Sequence, residues 1–161
     1  MPEFIRDPVQ NYRPGPASEL PLEAGETVLA VFAADRRRYW LDHAAMAGLG
    51  AVVVAVVLPF FGRADQIPVA LLAVAAAVAL RGAYLASEAF ARRWQLTERR
   101  LIGPQGRQVM LLEIAALRRL MGDVQLVTKD GTKHLIKHQA DSAATLAAIE
   151  AQRAARAKVV P

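Results

Sequence analysis

Two histidines four residues apart are the first candidates for chemistry in this chain. On a helix, His134 and His138 would share one face and suit a divalent metal. The residues around them, Asp123 to Lys129 (DVQLVTK) and Thr132 to Lys137 (TKHLIK), alternate as strands do, and no carboxylate pair stands beside them. A place on a hairpin face is therefore expected. His43 sits at the edge of a long apolar run, where it serves as a polar anchor unless it ligates a haem or chlorophyll. Glu88 and Arg92, four apart, read as an ordinary helix pair. Paired catalytic carboxylates, a nucleophile elbow and a phosphate loop are missing from the sequence. The chain reads as non-enzymatic, with no cofactor, no metal and no small-molecule substrate.

The element that must position everything else is an apolar hairpin over residues 43–86. His43 to Gly62 carries no charged residue apart from the histidine, and Ile67 to Leu80 repeats the pattern after the break Arg63-Ala64-Asp65-Gln66. A helix rises about 1.5 Å per residue, so roughly 20 apolar residues cross a hydrocarbon core about 30 Å thick. The first segment meets that length. Arg81 lies about 21 Å along the second, close enough to the far interface to extend its stem into the headgroups. Two buried helices of a soluble protein would suit shorter apolar runs.

A net charge of +5 suggests nucleic acid in a soluble protein. Beside two spans the cations have another explanation, because arginine and lysine collect on the cytoplasmic side of a membrane. Arg36, Arg37 and Arg38 precede the first span, and Arg92, Arg93, Arg99 and Arg100 follow the second. Both termini are thus expected in the cytoplasm of a bacterium, with the hairpin in its inner membrane. Arg36 to Arg38 with Tyr39 and Trp40 form a basic and aromatic interface belt, joined at the same level by Arg81, Arg92 and Arg93. Small residues recur at four-residue spacing, Ala44 and Gly48 on one file, Ala47, Ala51 and Ala55 on another, and Ala75, Ala79 and Ala83 in the second span. Such files let another helix approach closely, either the partner span or one from a larger membrane protein. The absence of cysteine excludes disulfides and thiolate metal sites.

Residues 1–22 hold five prolines and read as an extended arm; residues 23–42 carry a strand, Thr27 to Phe32, and the basic juxtamembrane belt. Residues 87–157 read as a small β-domain. Ala91 to Ile102 folds back as two strands, with Trp94 and Leu96 on one side and Arg93, Gln95 and Thr97 on the other. Gly103 to Gly106 turns the chain, and Arg107 to Ile114 forms the next strand. Ala116 to Met121 then joins it to Asp123 to Lys129. Asp130-Gly131 predicts a two-residue type I′ hairpin, which places Val124, Leu126 and Leu135 on one face and Gln125, Val127, His134 and Ile136 on the other. Asp141 and Ser142 can cap a last helix buried through Leu146 and Ile149 with Ala143 and Ala147.

This order of parts resembles the bacterial PH-like (pleckstrin-homology-like) membrane protein family. The matching residues are Gly25-Glu26-Thr27-Val28-Leu29, the span pair, Trp94-Gln95-Leu96-Thr97-Glu98-Arg99-Arg100-Leu101-Ile102, Leu112-Glu113-Ile114 and Asp130-Gly131. The resemblance covers residues 24 to about 155 and implies a membrane α+β fold: a transmembrane hairpin, then a small antiparallel PH-like domain with a C-terminal helix. It also implies an accessory or assembly subunit of a larger inner-membrane complex. A second reading is a membrane-surface sensor whose juxtamembrane arginines, Arg99 and Arg100 among them, hold anionic lipid headgroups.

Overall fold

The computed structural model describes residues 18–159, so nearly all of the proline-rich arm, including Phe4, Ile5, Val9 and Tyr12, lies outside the described residues. Strand β1 (Val28–Ala33) leads into helix α1 (Arg36–Phe60), and a short turn at Ala64–Gln66 leads into helix α2 (Ile67–Ala91). Among the described residues seven strands are completed by β2 (Arg93–Thr97), β3 (Arg100–Ile102), β4 (Gln108–Met110), β5 (Ile114–Leu120), β6 (Asp123–Thr128) and β7 (Lys133–Ile136), before helix α3 (Ser142–Val159). They form two antiparallel sheets, one ordered β1-β2-β3-β4 and the other β5-β6-β7. The hairpin is thus inserted between two strands that pair with each other, β1 and β2.

Each long helix has 25 residues, about 37 Å, and both are long and apolar enough to cross a membrane. Only 6% of each apolar window is buried within the chain. The helices begin and end beyond the expected limits, because Asp35 caps α1 by accepting from the Arg38 amide at 2.7 Å and α2 runs on to Ala91. Arg36 to Trp40 are consequently the first turns of a helix.

The head packs Trp94, Leu96, Leu101, Leu111, Ile114 and Leu126 together with Ile149 of α3. Burial on α3 falls on Thr145 and Ile149, with Leu146 and Ala148 packed against the core, whereas Ala143 and Ala147 are exposed. Asp141 caps this helix through the Ala143 and Ala144 amides, both at 2.9 Å. The single strand expected over Arg107 to Ile114 is interrupted at Leu111–Glu113 by a helical turn, where the chain passes from one sheet to the other while keeping Leu111 and Ile114 buried.

The hairpin turns also differ from expectation. The two-residue turn with positive φ at both positions lies at Met121-Gly122 (45° and 100°), between paired Leu120 and Asp123. At Asp130-Gly131 only the glycine has positive φ. The Thr128 carbonyl accepts from the Gly131 amide at 2.9 Å, and Thr128 donates to the Thr132 carbonyl at 2.9 Å, closing a three-residue loop. One extra loop residue shifts the register by one. Leu126 therefore faces His134, Val124 faces Ile136, and it is Ile136 rather than Leu135 that enters the core.

Candidate functional site

The site is the junction where the base of the helical hairpin meets the head. Tyr39, on the second turn of α1, is buried and donates through its hydroxyl to the Gly82 carbonyl at 2.7 Å. His43 lies one turn further on, its Nδ1 2.9 Å from the Tyr39 carbonyl. That carbonyl can only accept, so Nδ1 carries a hydrogen. Nε2 is buried and has no hydrogen-bond partner among the described residues. It is pressed against Gly82, where an added Cβ would lie 2.9 Å from the ring of His43 and 2.9 Å from that of Trp40. Only a glycine lets the helices meet here.

Below this seam a polar hub ties α1 to the head. Arg38 pairs with Asp42 at 3.0 Å, and its guanidinium lies over Gly122 and donates to the Met121 carbonyl. Asp42 also meets Nδ1 of His138 at 2.8 Å, while the His138 amide donates to Asp123 at 2.7 Å. The Asp35 amide donates to the His138 carbonyl at 2.8 Å, so the start of α1, the β5–β6 turn and the segment after β7 are held together. His138 adopts a left-handed φ of 54° in doing so. Asp42, Asp123 and His138 bring three potential metal-ligating atoms within 4.8 Å of one another. Asp42 and His138 bind each other and both carboxylates accept hydrogen bonds, contacts that clasp the start of α1 to the head. His134 is separate, beside Trp94 with ring centroids 5.9 Å apart. Burial, reinforced by the nearby Arg107 charge, lowers the His134 pKa.

Between hairpin and head lies a cavity of about 670 Å³. Its helical wall includes Met46, Leu85 and Ala89, and its head wall includes Phe32, Trp94 and Leu135. Five cations border it, Arg81, Arg92, Arg107, Lys133 and Lys137, against three acids, Asp42, Glu88 and Asp123. The acids are already engaged: Asp42 and Asp123 in the hub, and Glu88 with Arg92 one helical turn away. Among the described residues Arg81, Lys133 and Lys137 have no carboxylate within ion-pair distance.

The residues expected at the interface divide into two groups. Arg36 and Arg37 are exposed, Arg36 lies 5.4 Å from the Phe90 ring, Trp40 is partly exposed, and Arg81 is exposed where it borders the cavity. Arg38 and Tyr39 instead turn inward to hold the junction, and Arg93 is engaged by Glu19 at 2.6 Å. Of the two arginines expected at headgroups, Arg99 is exposed and 3.4 Å from Glu23. Arg100 is unsuited to that role. Its side chain is 6% exposed, and Glu26 grips it at 2.8 and 3.0 Å from two nitrogens. Gln108 and the Pro21 carbonyl accept from two more of its N–H groups, and Glu23 lies 3.5 Å from Nη1. The guanidinium holds the Glu26 carboxyl down at about 2, with Thr97 donating to it at 2.7 Å.

The small-residue files are also placed. Ala47 and Ala51 are half-buried at the seam between the helices, while Ala44, Gly48, Ala55, Ala75, Ala79 and Ala83 face away from it. The close approaches occur at Gly50, where an added Cβ would sit 2.8 Å from Val74, and at Gly82. Gly50 has Met46 and Val54 at four-residue spacing and stands in no file of small residues, whereas Gly82 has Ala86 at that spacing but lies outside the file Ala75, Ala79 and Ala83. Comparison with family models, curated proteins and solved structures finds no match to this chain.

Proposed function

We propose that this chain is a two-span inner-membrane protein that binds a larger membrane complex as a non-enzymatic accessory or assembly subunit, its termini and head in the cytoplasm. The observation that carries this reading is the outward position of six of the eight small residues, Ala44, Gly48, Ala55, Ala75, Ala79 and Ala83, on helices that use other residues to pack on each other. In lipid, small outward-facing side chains allow another helix to approach closely, and that contact is what holds spans together where no hydrophobic drive exists. The head supports a PH-like reading through its four-stranded and three-stranded sheets and the single helix that closes them. The excess of arginine at the head end of both helices, against Arg63 and Asp65 in the connecting loop, supports a cytoplasmic head.

Extraction in a mild detergent followed by co-purification tests this reading. A stoichiometric membrane partner is expected, lost on replacing Ala75 and Ala79 with leucine while the head remains folded. Recovery of the chain alone at its monomer mass, from membranes in which it is expressed at native level, contradicts it.

A further inference from the structure

We propose that the cavity at the hairpin–head junction binds the anionic headgroup and upper acyl chain of one phospholipid. The proposal rests on the membrane placement given above, but not on the identity or existence of a protein partner.

The charge of the cavity selects an anion. Of its acids, Asp42 and Glu88 are paired with Arg38 and Arg92 and Asp123 accepts the His138 amide, while Arg81, Lys133 and Lys137 have no carboxylate within ion-pair distance among the described residues. Nε of Arg92, also in the wall, is buried without a hydrogen-bond partner among the described residues. An acceptor entering the cavity would satisfy the charge.

The distribution of that charge selects an amphiphile. Lys133 opens β7 and Lys137 directly follows it on the head, whereas Met46, Leu85 and Ala89 lie on the helices. Met46 and Arg81 stand at one level, each about 15 Å from the head-proximal end of its helix. The headgroup layer occupies only the outer several ångströms of the bilayer, so this wall reaches from the headgroups into the start of the acyl region. A phosphate against the lysines thus places its glycerol and first methylenes along Met46 and Leu85. The volume of about 670 Å³ falls within the range of roughly 300 to 1,000 Å³ typical of small-ligand sites.

The test uses the full chain in a nonionic detergent micelle, with lipid binding read by native mass spectrometry. Dioleoylphosphatidylglycerol is expected to bind about tenfold tighter than dioleoylphosphatidylcholine at low salt. The exposed double substitution Lys133→Ala and Lys137→Ala should weaken phosphatidylglycerol binding about twenty-fivefold, at roughly fivefold per lost cation. Lys158→Ala, at the far end of α3, should leave it unchanged. Met46→Trp, which fills the apolar wall without altering charge, should also reduce it. Equal binding of the two lipids, or full binding by the double variant, overturns the proposal. So does displacement of the lipid by millimolar inorganic phosphate, which would show that the cations take a soluble anion without help from the apolar wall. A normal lipid result with no co-purifying protein would count against the accessory-subunit reading while leaving this site standing.

Discussion

Glu26 and Arg100 show how much a single pair can decide in the head. Both side chains are nearly or fully out of solvent, and each satisfies the other through two hydrogen bonds. Removing one partner leaves an uncompensated buried charge, so Glu26→Ala is expected to cost about 3 to 5 kcal/mol in denaturant unfolding. A loss below about 1 kcal/mol would mean that the pair is solvated. The pH dependence follows from the same contact. Glu26 binds its proton less readily when folded, at about 2 against an ordinary value of 4.5. Its contribution is therefore complete above about pH 4.5 and is lost as pH falls toward 2. Acid titration of wild type should show that loss, and Glu26→Gln should lack this component. The pair joins residues 74 positions apart. Nothing local in the sequence marks Arg100, the second arginine of an exposed-looking Glu98-Arg99-Arg100 run, as the inward one.

At the scale of elements, the turns and the helix seam carry the specificity. Gly82 admits the rings of His43 and Trp40 where any Cβ would collide, so Gly82→Ala should overpack the base of the hairpin by about 1 to 3 kcal/mol. Thermal unfolding in micelles measures it, and an unchanged midpoint would show that the helices do not meet as described. Gly122 combines a φ of 100° with the Arg38 guanidinium 2.5 Å from an added Cβ. Gly122→Ala should therefore be costlier than Gly131→Ala, where φ is also positive but space is open. The two long helices were legible because apolar composition over 25 residues is a signal that needs no tertiary knowledge. The register of β6 and β7 was not, since Asp-Gly serves both a two-residue and a three-residue loop, and the choice moves Ile136 into the core in place of Leu135.

Across the whole molecule, the hairpin and head act as one piece because Arg38, Asp42, His138 and Asp123 lock the first turns of α1 onto two turns of the β-domain. A partner gripping the spans would thereby feel the orientation of the head. This junction and its cavity draw on both helices and on residues scattered from Phe32 to Gln139, so no sequence window contains them. His138 was visible as a possible ligand, but its role as a clasp depends on Asp42, 96 positions away. Under the function proposed above, the two apolar helices cross a bilayer and suspend the head on its inner side. The chain has no cysteine, so single cysteines report topology without background. In intact cells, Arg63→Cys in the interhelical turn should react with a membrane-impermeant maleimide, and Glu150→Cys on α3 should react only after permeabilisation. Labelling of Glu150→Cys from outside, or protection of both until lysis, would contradict the account.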